Sequence, residues 1–395
     1  MGRAYISAPA VPLALGLFAI LEPLVRYATE MKQYSGDIAC TLIVLYGAHL
    51  VQQRPNWLRI GLFGLAGAVI LWFSQPAVFV LGGAGIVLGV MALRERDWRR
   101  VIALALAGAL WLASFIPSYQ LSLRTIADYG YFATSWESGF APAGSGDQAF
   151  ENLRWYVMTF FGIFKSPTGL EDYAAGVAGI AVLVAGAVLA RTRRLHLLLL
   201  IAPIGLTLIA SFLKLYPFQA RVLLFLVPIL LLLTAEGVEQ LSNHTPWRRV
   251  LWLGLVLVLA LEPTILTAQQ LLVPRRHQEL RPVLAHVRER IEAGDTVYVY
   301  YGAYNAFRYY THNDPLPAGE IIHGSESRAD WNVYFQELDA LRGRERVWVI
   351  FANRYSDAGA DERELLLFHL NQIGRQLDEQ RAANASAHLY MLPAP

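Results

Sequence analysis

The chain has few cysteines, few lysines and little charge for its 395 residues. One cysteine, Cys40, excludes an intramolecular disulfide and any thiolate metal centre. Three lysines (Lys32, Lys165, Lys214) and 30 arginines face 31 acids, and a net charge of +2 is too balanced for a nucleic-acid binder. The nine histidines form no His-x-x-x-His or His/Glu helical pair, so no metal site is expected. No Gly-x-Ser-x-Gly elbow is present to carry an acyl-transfer serine. Charged residues amount to 16% against 55% hydrophobic, a composition unsuited to the surface of a soluble globular enzyme.

The charge that exists is unevenly spread. Residues 1–273 carry 33 charged residues, about 12% of that stretch, and residues 274–395 carry 31, about 25%. The chain therefore divides into a membrane-like part, 1–273, and a part of soluble composition, 274–395. In the first, nine apolar runs approach the ~20 residues that cross a bilayer: 9–26, 36–52, 57–74, 76–93, 101–118, 173–190, 195–213, 220–237 and 250–271. With the N-terminus cytoplasmic, the inner connections hold Arg3, Arg54, Arg59, Arg94, Arg96, Arg99, Arg100, Arg191, Arg193, Arg194, Arg248 and Arg249. The short outer ones hold only Arg26, Lys32, Lys214 and Arg221. The positive-inside rule selects this orientation, and an odd number of crossings puts the C-terminal domain outside. The first run carries Pro12, Glu22 and Pro23 and lacks a small-residue cleavage site, so it reads as a retained helix rather than a cleaved signal.

One long exterior loop, 119–172, is rich in aromatics (Tyr129, Tyr131, Phe132, Trp136, Phe140, Trp155, Tyr156), and Gln148 to Phe164 reads as a helix on the membrane surface. The tail reads as a small α/β domain, with helices at 280–291 and 361–373 and strands at 296–301, 346–351 and 387–392. Gly374 is expected to close the second helix. No Gly-rich phosphate loop follows the first strand, and Asp361-Glu362 reads as first-turn helix charge.

Two polar groupings stand at the outer ends of spans. Tyr27, Glu30, Lys32, Tyr34 and Asp37 bring both signs of charge to a membrane boundary, which suits a polar headgroup with a phosphate and equally suits a solvated turn of local ion pairs. Arg221 opens an almost wholly apolar helix; its guanidinium can fork onto phosphate oxygens or serve as a snorkelling anchor. Glu22 and Glu262, each followed by proline, are intramembrane carboxyls that suit either a functional site or a protonated packing group.

The segment Arg26-Tyr27-Ala28-Thr29-Glu30-Met31-Lys32-Gln33-Tyr34-Ser35-Gly36-Asp37 resembles the Tyr-Ala-x-Glu-x-Lys-x-Tyr-Ser-x-Asp motif of bacterial family 39-like glycosyltransferases of the GT-C superfamily, relatives of dolichyl-phosphate-mannose protein mannosyltransferases. Ser74-Gln75-Pro76-Ala77-Val78-Phe79, Trp136-x-x-x-Phe140-x-Pro142 and Tyr216-Pro217-Phe218-x-x-Arg221 are similar to later landmarks of that family, in the same order. The resemblance implies a polytopic all-α membrane domain followed by a small α/β exterior domain. It also implies a bacterial inner-membrane location with the C-terminal domain periplasmic, and transfer of a sugar from a polyprenyl-phosphate carrier to an exterior acceptor. In that reading Arg221 and Lys32 bind the phosphate, Tyr27, Glu30, Tyr34 and Asp37 shape the polar mouth, and Trp136 stacks on a sugar. The family's catalytic acid lies in an exterior loop preceding the matched motif, whereas here eight residues precede the first span and none is acidic. The expectation is an N-terminally truncated member, a protein that binds lipid-linked sugar without transferring it, or one in which Glu30 or Asp37 has taken over as base. A non-catalytic scaffold and a transporter are the competing readings.

Overall fold

The computed structural model describes residues 2–122, 136–142, 148–243, 246–273, 276, 278–328, 330–357 and 360–395. The chain divides into two compact units, Met1–Leu272 and Val273–Pro395.

The first unit is helical: α1 Val11–Ile20, α2 Glu22–Thr29, α3 Tyr34–Gln53, α4 Trp57–Phe73, α5 Ala77–Arg94, α6 Trp98–Ser122, α7 Ala149–Lys165, α8 Asp172–Thr192, α9 Arg194–Phe212, α10 Val227–Asn243 and α11 Arg248–Leu272. A 3₁₀ helix, Ala220–Leu226, runs directly into α10. Among the described residues, seven helical segments are long and apolar enough to cross a membrane, or eight if the bent pair of α1 and α2 forms one span. Nine runs were expected, and two deviate for clear reasons. The first is broken by 51° between α1 and α2, where Leu21 is extended and Pro23, two residues on, has no N–H to continue the ladder. The third, α4, has 17 residues and rises only about 26 Å, short of the ~30 Å hydrocarbon core. Helix α7 falls where an interfacial helix was expected. It exposes Phe150, Leu153, Val157 and Met158 and tucks Ile163 and Phe164 inward. Tyr129, Tyr131 and Phe132 lie outside the described residues.

The core of this unit is α10. Its first seven residues are wholly apolar, and every residue from 223 to 239 is buried. By contrast, α11 buries only Leu259, Pro263 and Thr267. Small side chains let α8 approach α10 closely: Ala174, Ala175, Ala178, Ala181 and Ala185 are buried. At Gly237 a Cβ would stand 1.8 Å from the Ala181 carbonyl oxygen. The acids on α10 are partnered. Glu236 accepts from the Ser7 amide and hydroxyl, both at 2.7 Å, and from Gln240 at 2.8 Å, while Glu239 pairs with Arg248 at 3.4 Å.

The second unit is a five-stranded sheet with helices on both faces. Strands β1 Thr296–Val299, β2 Glu320–His323 and β3 Arg344–Ala352 are parallel; a two-residue-per-arm hairpin (β4 Ser356–Asp357, β5 Ala360–Asp361) follows, then antiparallel β6 Arg375–Ala382 and β7 Ala385–Leu392, in sheet order β2-β1-β3-β7-β6. Helices α12 Leu280–Arg290 and α13 Tyr304–Thr311 pack over Val297, Val299, Trp348 and Ile350, whereas α14 Trp331–Asp339 and α15 Glu362–Ile373 pack over Tyr298, Tyr300, Val347 and Val349.

Two expectations for the tail are corrected. Gly374 ends α15, but in extended rather than left-handed backbone (φ −161°, ψ −173°). Its lack of a side chain instead serves close approach, since a Cβ would meet the Met391 carbonyl oxygen at 2.5 Å. Asp361 caps α15 by accepting from the Arg363 amide, as first-turn charge does. Glu362 is not surface charge: it is buried and accepts hydroxyls from Tyr300, Tyr301 (2.8 Å) and Tyr334 (3.3 Å). A carboxylate excluded from water needs such donors.

Replacing Gly237 by Ala drives a methyl group into the α8 backbone, which cannot move aside like a side-chain tip. The expected cost is about 1–3 kcal/mol, seen as a thermal midpoint several degrees lower for the purified full chain; an unchanged midpoint would show that α8 and α10 are not so close. A second outcome concerns pH. His388, buried on β7, has its pKa lowered from 6.5 to about 4 by burial, which the nearby Glu379 charge only partly offsets. Between those values the unfolded chain binds a proton that the folded chain refuses, so stability is full above about pH 6.5 and falls as pH drops toward 4. Amide exchange of the β3–β7 ladder, corrected for intrinsic rates, is expected to lose protection over that window in the native chain and much less in His388→Gln. Identical profiles would remove His388 as the cause.

Candidate functional site

The site is built at the end of the first unit where α3 and the helix pair α5 and α10 begin. Asp37 lies in the first turn of α3, and Thr41, four residues on, shares its face. Ser74 ends α4 just before α5. All three are buried, at 4%, 0% and 0% exposure. Ser74 approaches the Asp37 carboxylate, yet Asp37 Oδ1, Thr41 Oγ1 and Ser74 Oγ each lack a well-formed hydrogen bond among the described residues. Leaving a buried polar atom unmet costs about 1–3 kcal/mol, so three together, one of them on a carboxylate, form an unusual concentration. The Tyr216 phenol lies within electrostatic reach of Asp37 and Tyr34; its own hydroxyl donates to the Val222 carbonyl at 2.8 Å.

Arg221 follows Ala220, whose backbone is held at φ 51°, a region costly to residues with a Cβ. Its guanidinium stands over the Trp136 ring at 5.8 Å and has no carboxylate partner among the described residues. The Trp136 segment is fixed against this turn by main-chain and side-chain bonds. Phe218 N–H donates to the Gly139 carbonyl at 2.7 Å, Ala141 N–H donates to Ser211 Oγ at 3.0 Å, and Lys214 Nζ donates to the Ala141 carbonyl at 3.1 Å. Beside it lies a cavity of about 350 Å³ lined by Ser138, Trp155, Thr159, Ser166, Gln219 and Ala220.

The residues singled out in the sequence fall into two groups. Tyr34 lies within electrostatic reach of Arg221, Tyr27, Glu30 and Asp37, and packs edge-on to Tyr27 at 4.9 Å. Arg221, Trp136, Tyr34, Tyr27 and Asp37 thus form one neighbourhood. Glu30 and Lys32 sit at its edge and are engaged with each other at 3.2 Å, with Arg26 also on Glu30 at 3.1 Å. Burial acts to raise the Glu30 carboxyl, but Lys32 and Arg26 outweigh it and hold it below the usual carboxylate range. Lys32 is half-exposed and its charge is spent on Glu30. Glu262 lies on the exposed face of α11 rather than packed in the bundle, and Glu22 marks the break between α1 and α2; neither is among the residues of the site.

Thr41 was not singled out in the sequence, and Ser74, Lys214 and Tyr216 stood in segments that drew attention without being assigned a role of their own. The i, i+4 relation of Thr41 to Asp37 was readable, whereas Ser74 and Tyr216 meet Asp37 only through tertiary packing. No group of three or more metal-ligating side chains occurs among the described residues. No protein-family model matches the chain, and no curated protein matches it significantly.

If Asp37 is retained at a cost to folding, Asp37→Asn, which removes the charge at constant shape, leaves the thermal midpoint of the full chain unchanged or raises it. A drop of several degrees would mean that the carboxylate is a structural element.

Proposed function

We propose that the chain is a multi-pass membrane glycosyltransferase of the GT-C type, which transfers a sugar from a polyprenyl-phosphate carrier to an acceptor on the outer side of a bacterial inner membrane. The carrying observation is the pairing, in one neighbourhood, of an unpartnered cation (Arg221 on Trp136) with a buried carboxylate that has an unmet oxygen (Asp37). Long apolar helices around it supply a lipid-facing surface, and the arginine asymmetry of the sequence favours a periplasmic location for this end and for the C-terminal unit.

In this reading the acceptor hydroxyl oxygen attacks the anomeric carbon while the bond from that carbon to the phosphate oxygen breaks. The acceptor proton passes to the Asp37 carboxylate, and the departing polyprenyl phosphate keeps the bonding electrons, its charge stabilised by Arg221. Trp136 offers a face for the sugar, and Tyr34 lies within electrostatic reach of both cation and carboxylate. The geometry favours Asp37 over Glu30 as base, because Glu30 is neutralised by two cations and Asp37 by none. Lys32 is accordingly a weaker phosphate ligand than Arg221.

The full chain in bilayer nanodiscs tests this with radiolabelled polyprenyl phosphate and polyprenyl-phosphate-linked sugars. Arg221→Ala is expected to weaken retention of polyprenyl phosphate by about tenfold or more, the value of a charge-assisted contact. Asp37→Asn is expected to retain it and lose transfer. Undiminished retention by Arg221→Ala overturns the phosphate assignment, and tight binding without turnover of any donor leaves a lipid-linked-sugar-binding subunit instead.

A further inference from the structure

The opposite end of the first unit, where α10 finishes and α11 begins, holds a hollow of about 860 Å³ lined by Pro9, Glu239, Trp247, Arg248, Arg249 and Trp252. Its chemistry is one-sided. The lining has two guanidinium groups and two indole N–H donors against one carboxylate, and that carboxylate is already engaged by Arg248 at 3.4 Å. Neither Arg249 nor the two indole nitrogens has a protein acceptor among the described residues. A concave surface whose unmet groups are all donors, with positive charge in excess, suits a ligand that is all acceptor and negatively charged, as a phosphate is.

The surroundings distinguish a lipid phosphate from a free one. Val250 and Leu253 line the same hollow and are 65% and 61% exposed. The stripe continues along α11 through Leu257, Leu261 and Ile265, also exposed, which line a second groove of about 460 Å³ whose far part also holds Glu262 and Gln269. From Val250 to Ile265 the stripe runs about 22 Å, longer than the ~15 Å of one leaflet's hydrocarbon. We infer that this hollow is a binding site for the headgroup of an anionic phospholipid, its phosphate held by Arg248 and Arg249 between the two indoles, its acyl chains along α11. Basic pockets at helix ends beside an apolar surface bind anionic lipids by this combination of charge and tail burial. The inference requires the bundle to sit in a bilayer but does not require sugar transfer, so it stands or falls separately from the proposed function.

The test uses the full chain in detergent, titrated with phosphatidylglycerol, phosphatidylcholine or inorganic phosphate, with binding followed by native mass spectrometry. The expected result is a preference for phosphatidylglycerol over phosphatidylcholine of about tenfold or more, reduced in Arg249→Gln and lost in Arg248→Gln/Arg249→Gln. Arg249 has no protein partner among the described residues, so its substitution leaves the fold intact. Arg99→Gln, exposed at the start of α6 on the same end, is expected to keep the preference. The inference is overturned by an unchanged preference in the double variant, by an equal loss in Arg99→Gln, which would reveal only diffuse surface charge, or by inorganic phosphate competing as well as the lipid.

Discussion

The first unit is organised by a helix that is buried from end to end of its apolar run. Val227–Leu233 is wholly apolar, and enclosing it dictates where the other helices go: α8 presses its alanines against Gly237, α3 packs against the 3₁₀ lead-in, and α1 lies alongside. Because Arg221 is the second residue of that lead-in, the same enclosure fixes a guanidinium at the rim of the bundle. The cation of the candidate site is thus placed by a packing requirement several turns away from it.

Polar groups inside the bundle are met unevenly. On α10, Glu236 has three donors and Glu239 has an arginine, as buried acids require. Arg100, also buried, reaches Glu95 with Nη1 but leaves Nε and Nη2 unmet, and His49, Gln52 and Thr234 each have one unmet atom. Asp37, Thr41 and Ser74 differ in that three unmet oxygens, one of them a carboxylate's, are gathered at one place. Where a protein breaks the rule of polar satisfaction, function is a common reason.

Much of the architecture was legible because it rests on local periodicity and composition. The charge-poor first part and the runs of β1, β3 and β7 were readable, as were the apolar spacing of α12 and α15. What escaped depends on neighbours distant in sequence. β6, Arg-Gln-Leu-Asp-Glu-Gln-Arg-Ala, alternates too few apolar residues to signal a strand, and forms because it is the solvated outer edge paired only with β7. β2 is a four-residue edge of the same kind on the other side. Glu362 carries the local signature of a helix first turn, and only the sheet shows that three tyrosines meet it. For the candidate site, Arg221, Tyr34 and Asp37 stood out as charges or phenols beside apolar runs. The spacing already offered Glu30 its two cations, Lys32 two residues on and Arg26 four back; that Asp37, five residues from Lys32, is buried without a cation depends on tertiary packing.

The shortness of α4 has a consequence for the lipid around it. Its ends carry Trp57 and Trp72, both exposed and separated by about 22 Å along the axis, and such residues settle at the headgroup level on either side. A bilayer of ordinary thickness meets this helix with several ångströms of mismatch, which it relieves most cheaply by thinning. Ser74 closes that same helix, so on the proposed reading such thinning would lie beside Asp37 and shorten the vertical distance from a lipid-borne phosphate to the buried carboxylate.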